Sequence, residues 1–259
     1  MRITLITGAT GGLGRAFVFA LLNEPLLLTG RSEEKLSLLQ EEILQQNPKA
    51  TVFVYPCRLD KEEERRVFYD YIEREDFTFS KLILVAGADI QKPFSDYTEE
   101  KLLFQTRVNF EANASLLRFC HERREGDFSV LGISSVSGIY PMPYFALYSA
   151  TKGAFTSLLE ALSVEWKGTA RVTAVLPGAM PTREDIRENI KAQGLWGKLA
   201  VHSPEWVAKK SLEALKRGKR KYIPGFWNNV MNIFTRCIPM TWKLKFIARR
   251  WSKTTKDAF

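Results

Sequence analysis

Cysteine and histidine are scarce in this chain: Cys57, Cys120 and Cys237 are the three cysteines and His121 and His202 the two histidines among 259 residues. An odd number of widely spaced cysteines excludes a disulfide framework and points to a reducing compartment. Neither histidine has a cysteine cluster near it in sequence, so no metal is expected. Nowhere does the chain reach the roughly 18 consecutive apolar residues of a membrane-spanning helix. Met1 and Arg2 lead straight into ITLIT with no secretory leader pattern, which gives the expectation of a cytoplasmic protein. Internal repeats, Gly/Ser linkers and nucleic-acid reader motifs are all missing, so neither a repeat architecture nor a nucleic-acid partner is expected.

Acidic residues are nearly missing from one end. The whole chain has 38 Lys and Arg against 29 Asp and Glu, a formal charge of +9. From Lys216 to Phe259 there are 12 bases and a single acid, Asp257, so this stretch carries +11 and residues 1–215 carry −2. The basicity belongs to the tail. With 45% apolar residues the remainder can bury one large core. The expected division is a single folded domain over residues 1–224 and a basic amphipathic extension over residues 225–259.

Strand-like apolar runs alternate with amphipathic stretches of helical length. The expected strands are Ile3 to Thr7, Leu26 to Thr29, Thr51 to Tyr55, Leu82 to Val85, Ser129 to Ser134 and Arg171 to Leu176, with a short seventh at Lys221 to Ile223. The expected helices are Leu13 to Leu22, Ser32 to Gln46, Lys61 to Arg74, Thr98 to Arg123 and Tyr148 to Lys167. Repeated βα units predict an α/β fold of the Rossmann-like, doubly wound kind: a parallel sheet of about seven strands with helices on both faces. Residues from Arg183 to Ser203 read as a loop with short helices.

Directly after the first strand comes TGATGGLG, residues 7–14. Gly8, Gly12 and Gly14 let the backbone approach a pyrophosphate at a helix N-terminus; a tight βα turn would need glycine as well. The spacing departs from GxGxxG and resembles the TGxxxGxG of the short-chain dehydrogenases/reductases, which implies cofactor contacts at Thr7, Gly8, Gly12, Leu13 and Gly14. After the second strand lies Arg31, where NAD-specific Rossmann enzymes place an acid for the ribose hydroxyls. A guanidinium there matches a 2′-phosphate, so NADP(H) is the expected cofactor, with Arg15 as a helper. Arg31 reads alternatively as a solvated base at the helix start. Asp60 resembles the family's contact to the adenine amino group and is also placed to cap the helix from Lys61. The fourth strand ends in LVAG, residues 84–87, where the family commonly has NNAG; Ala86 and Gly87 still admit the cofactor.

In YSATK, Tyr148 and Lys152 lie four residues apart on one helical face. An ammonium beside a phenol favours the phenolate and so tunes its proton transfer, although a bare YxxxK is also a common exposed pair. ISSVSG, residues 133–138, resembles the family's serine motif and puts Ser135 in the active position. Asn109 in RVNFEAN matches the asparagine that holds a water in the family's proton relay, and reads alternatively as a helix kink or as an outward polar residue. LPGAMPT resembles the family's PGxxxT, so Pro177 and Gly178 are expected beside the nicotinamide, with Thr182 on its carboxamide or phosphate. These motifs follow family order over roughly residues 3–182. The resemblance implies hydride exchange between NADP(H) and a small carbonyl or alcohol, with catalysis by Ser135, Tyr148, Lys152 and Asn109.

Met142, Pro143, Tyr144 and Phe145, with Leu195 and Trp196, suggest a hydrophobic substrate, lipid-like if the tail described next meets a membrane, although core packing uses the same residue types. In the tail, Phe226, Trp227, Val230, Met231 and Phe234, then Trp242, Leu244, Phe246, Ile247 and Trp251, recur at near-helical spacing among bases. That pattern suits an anionic membrane surface, and equally a face laid on the domain or a partner. The alternatives are a 3-oxoacyl carrier-protein reductase, whose acidic partner would suit a basic surface, and a non-catalytic NADP(H)-binding sensor. The resemblance also implies a homo-oligomer built on the helices near residues 98–123 and 148–167.

Overall fold

The structure, a computed structural model, describes residues 1–180 and 201–252. Seven strands form one parallel sheet in the order β3-β2-β1-β4-β5-β6-β7. They are β1 (Arg2–Thr7), β2 (Leu26–Gly30), β3 (Val52–Pro56), β4 (Thr78–Leu84), β5 (Arg124–Ile133), β6 (Ala170–Val175) and β7 (Lys221–Tyr222). Between and after them run α1 (Gly12–Ala20), α2 (Glu33–Gln46), α3 (Glu62–Arg74), α4 (Glu99–Thr106), α5 (Ala112–Glu122), α6 (Ala146–Glu165), α7 (Pro204–Lys216), α8 (Phe226–Arg236) and α9 (Met240–Trp251). The expected doubly wound architecture is the observed one.

Apolar alternation along the strands explains the layers. Leu82 and Leu84 of β4 join a cluster with Phe68, Leu116, Phe155 and Leu159 from α3, α5 and α6. Ile83 between them points the other way, into a cluster with Phe17, Leu36, Ile43 and Val207 from α1, α2 and α7. Both faces of the sheet are therefore dry, which is why the strands read as nearly continuous hydrophobic runs. Each fully buried Phe or Leu in these clusters contributes about 1.5–3 kcal/mol. Winding outward from β1 through β2 to β3 and then returning to β4 makes a switch point between β1 and β4, and ligands of such sheets bind outside the strands' C-terminal ends there.

Three expectations differ, the first being the starts of β4 and β5, which lie at Thr78 and Arg124 rather than at Leu82 and Ser129. The single helix from Thr98 to Arg123 is broken into α4 and α5 by a π-turn over Arg107–Glu111. The amphipathic period runs on through the break, so only Asn109, with its alternative reading as a kink, marks it in the sequence. Asn113 supplies the local compensation: its Nδ2 donates to the carbonyls of Val108 at 3.2 Å and Asn109 at 3.0 Å. Asp60 does not cap α3, because Lys61 holds the cap position and no side chain bonds the helix end. The carboxylate of Asp60 points elsewhere.

Candidate active site

The glycine turn forms at the sheet's switch point. Gly8 has φ +63°, and a Cβ there would lie 2.9 Å from the Ala86 amide nitrogen. A Cβ on Gly14 would lie 2.0 Å from the Gly8 carbonyl oxygen, so the start of α1 sits directly on the turn. Gly11 caps α1 without a side-chain hydrogen bond, which leaves the first-turn amides of Gly12, Leu13 and Gly14 as donors for an anion. Leu13 itself buries its side chain in the core and anchors this turn. Gly14→Ala is expected to weaken binding of a nicotinamide dinucleotide at least tenfold and to destabilise the fold by about 1–3 kcal/mol, since its neighbour is backbone and cannot yield. Fluorescence titration with NADPH and a urea melt read both effects; an unchanged dissociation constant contradicts this placement.

Thr7 is fully buried, and its Oγ1 accepts from the amides of Val85 at 3.1 Å and Ala86 at 3.2 Å. The hydroxyl thus ties the end of β1 to the LVAG segment, a role its motif position did not reveal. Thr7→Val keeps the shape and strands two amides, so the unfolding free energy is expected to fall by about 1–3 kcal/mol. Equilibrium urea unfolding checks this, and a loss within error refutes the seam.

Arg31 is exposed beyond the end of β2, with its guanidinium 5.9 Å from the Phe104 ring centre. Arg15 is engaged elsewhere: one guanidinium nitrogen bonds both carboxylate oxygens of Glu42, at 2.8 and 2.7 Å. The helper role expected for Arg15 therefore finds no support in its position. Asp60 is buried; its Oδ2 lies 3.4 Å from Arg58, and its Oδ1 has no hydrogen-bond partner among the described residues. A buried carboxylate oxygen without a donor costs free energy until a donor arrives. An amino group such as that of adenine would supply one, and with the open α1 amides this makes the site fit a dinucleotide.

At the other end of the same strand edge, Lys152 is buried, and its Nζ donates to the carbonyl of Ile133, the last residue of β5, at 2.9 Å. Burial pushes its pKa down to about 8, with the nearby Asp89 charge acting against the fall. The ammonium lies 5.9 Å from the centre of the Tyr148 ring, one turn earlier on α6. That ring is half-buried and stacks on Phe145 with centroids 4.3 Å apart.

The structure separates the two adjacent serines. Ser134 is spent on α6, donating to the Lys152 carbonyl at 2.8 Å and accepting from Thr156 at 2.6 Å. Ser135 instead caps the short 3-10 turn Val136–Gly138, accepting from the Ser137 amide at 3.1 Å. This turn lies against α6: a Cβ on Gly138 would be 2.8 Å from the Gly153 nitrogen. Val136 also donates to the Pro177 carbonyl at 3.2 Å, which joins the turn to the segment after β6.

Asn109 is fully buried in the π-turn. Its Oδ1 accepts from the Ala88 amide at 2.7 Å, and its Nδ2 donates to the Ala88 carbonyl at 2.9 Å and to Thr151 at 3.1 Å. Gly87 fits between these groups, because a Cβ there would stand 3.1 Å from Lys152 Nζ and 3.2 Å from Asn109 Oδ1. The ends of β4 and β5, the π-turn and α6 thus converge on one point. Thr151 and Asn113, which hold this point together, do not stand out in the sequence; their signal is only their spacing from Lys152 and Asn109. Tyr144 adopts φ +62°, a left-handed conformation that costs about 1–3 kcal/mol in a bulky residue and clusters at functional sites. Thr182, Leu195, Trp196 and most of the expected loop from Arg183 lie outside the described residues.

Comparison with known proteins gives a consistent picture. A family model described as short chain dehydrogenase matches residues 2–193. Dehydrogenase/reductase SDR family member 11 of Gallus gallus is 30% identical over 192 residues, covering 70% of this chain and 75% of its own length. A tropinone reductase homolog of Datura stramonium is 29% identical over 185 residues, covering 69% of this chain and 68% of its own. Among solved structures, a 7β-hydroxysteroid dehydrogenase superposes with TM-score 0.82 at 22% identity, covering 95% of this chain and 96% of its own. A bulky-bulky ketone specific alcohol dehydrogenase from Comamonas testosteroni gives 0.73 at 22% identity, covering 99% of this chain and 95% of its own.

Proposed function

Because this chain belongs to the short-chain dehydrogenase/reductase family of oxidoreductases, we propose that it is an NADPH-dependent reductase of hydrophobic ketones or aldehydes. The observation that carries this reading is the buried Lys152, beside the Tyr148 ring and held 2.9 Å from the carbonyl of Ile133, two residues before Ser135. When bound, NADPH supplies the hydride. The protein supplies orientation and the proton.

The first-turn amides of α1 and the glycine turn hold the pyrophosphate, Asp60 takes the adenine amino group on its partnerless oxygen, and Arg31 faces the 2′-phosphate. Ala86, Gly87, Pro177 and Gly178 line the nicotinamide end. Tyr148 donates its phenolic proton to the substrate oxygen, and Ser135 donates a hydrogen bond to the same oxygen. Lys152 stabilises the phenolate that remains. Asn109 positions the end of β4 against Lys152 by gripping both polar groups of the Ala88 backbone. Met142 and Phe145 supply apolar surface beside Tyr148, and the names of the tropinone reductase homolog and the bulky-ketone enzyme support a ketone substrate. The exposed Leu103 of α4 and Val164 of α6 give the faces on which a homo-oligomer would assemble.

Cofactor preference is read with Arg31. Arg31→Ala is expected to raise KM for NADPH roughly ten- to a hundredfold and to leave KM for NADH nearly unchanged, since a charge-assisted contact to phosphate is lost and no ribose contact is. Steady-state kinetics with both nucleotides decides it. Equal losses for both would contradict the NADPH reading.

A further inference from the structure

The C-terminal helices α8 and α9 have two unlike faces. The inner one lies on the site's rim, and its first turn is tied to the residues that lead into it. Asn229 Nδ2 donates to the carbonyls of Ile223 and Gly225, both at 2.7 Å, and Asn228 Nδ2 donates to Pro224 at 2.8 Å. A Cβ on Gly178, in the segment after β6, would meet Asn228 at 3.0 Å. On α9, Lys243 lies 5.8 Å from the centre of the Tyr140 ring, just beyond the Ser135 turn, and Ile247 is buried. The extension is therefore laid against the two segments that border the catalytic groups.

The outer face is uncovered and apolar. Among the described residues, eight of the fifteen exposed large hydrophobic side chains fall between Phe226 and Phe246. Phe226 is 73% exposed, Phe234 62%, Trp242 71% and Phe246 67%. So dense an outward cluster marks a docking surface rather than ordinary scatter. Its charge identifies the partner. Residues 226–252 contain five bases and no acid. On α9 the exposed Trp242, Lys245, Phe246 and Arg249 recur at helical spacing on one side, alternating aromatic rings with bases. Rings that sit at headgroup depth, with bases reaching the lipid phosphates, are the composition of an interfacial helix.

A second copy of this chain is disfavoured as the occupant, because its matching face would bring the exposed Lys245 and Arg249 against like charges. No helix among the described residues is long and apolar enough to cross a membrane. The geometry points to α8 and α9 as a collar that docks the protein on an anionic phospholipid surface, with the Tyr140 and Gly178 segments held on its inner side.

The test uses the full chain, without nucleotide or substrate, and vesicles of phosphatidylcholine alone or with phosphatidylserine added. Its outcome is thus independent of whether the reductase reading is right. Sedimentation with the anionic vesicles is expected to exceed that with the neutral ones roughly tenfold or more, and to weaken as salt rises. Trp242→Glu combined with Phe246→Glu is expected to abolish it. Lys245→Glu combined with Arg249→Glu, equally exposed and less able to disturb folding, is expected to reduce it at least tenfold. Equal sedimentation with both vesicle types, or binding that survives both double variants, overturns the proposal. So does a wild-type dimer that ignores vesicles and falls to a monomer in Trp242→Glu/Phe246→Glu, which would make the face an interface between copies.

Discussion

Tyr148→Phe is expected to lower kcat/KM for NADPH-dependent ketone reduction about a thousandfold while the dissociation constant for NADPH stays within a factor of two or three. The substitution removes one oxygen and leaves the ring, so its stacking on Phe145 at 4.3 Å and its distance from the Lys152 ammonium are retained. What disappears is the proton delivered to the substrate oxygen as negative charge develops there. A thousandfold loss corresponds to about 4 kcal/mol of transition-state stabilisation, within reach of a positioned general acid. The defect should appear in kcat more than in KM, because a carbonyl oxygen accepts a hydrogen bond from Ser135 in the ground state whether or not the phenol is present. Stopped-flow mixing of the NADPH-bound enzyme with excess ketone separates the two. A variant that retains wild-type single-turnover rates would remove Tyr148 from the chemistry.

Lys152 gives the second large effect, and it has a pH signature. Burial lowers its pKa from 10.5 to about 8, so the folded chain sheds this proton well before the unfolded chain does. Reduction needs the ammonium, and the rate is therefore expected to fall as pH rises through about 8. Stability moves the opposite way. Between about 8 and 10.5 the unfolded state binds more protons than the folded one, so the unfolding free energy contributed by this residue rises with pH. At about 1.4 kcal/mol per pH unit the gain across the window is roughly 3 kcal/mol. Lys152→Met fills a similar volume without a charge. The variant is expected to lose at least a hundredfold in kcat/KM. The wild type should also gain roughly 3 kcal/mol on it between pH 8 and pH 10.5. Paired urea melts across that range check the sign. A difference that stays flat, or shrinks, contradicts a buried, proton-shedding Lys152.

Much of this architecture is legible in the sequence, for definite reasons. Strands such as Leu82 to Leu84 alternate between two dry clusters, and continuous apolar runs between amphipathic helices arise where a parallel sheet is covered on both faces. The glycine turn and YSATK are legible because their chemistry depends on local spacing, which the chain preserves within one turn. Features that depend on distant partners are not legible. The break at Asn109, one of the readings open to that residue, interrupts no hydrophobic period, and the Asn113 that stabilises it one turn later carries no signal of its own. Of the two roles that the sequence offers Asp60, the cap falls to Lys61, and the Oδ1 of Asp60 has no hydrogen-bond partner among the described residues. Thr7 reads as part of a phosphate loop, while its hydroxyl closes the seam to Val85 and Ala86, residues 78 and 79 positions away. Ser134 and Ser135 are indistinguishable by composition. The motif position already favours Ser135, and their bonds assign Ser134 to the scaffold of α6 and leave Ser135 at the rim.

The most direct test of the central claim follows the hydride itself. NADPH carrying deuterium at the reactive carbon of its nicotinamide is incubated with the full chain and a panel of bulky ketones, and the products are weighed by mass spectrometry. The account predicts an alcohol that has gained one deuterium with the wild type, and far less of that alcohol in the same time with Tyr148→Phe. Tight binding of NADPH with no labelled alcohol from any ketone or aldehyde would contradict it.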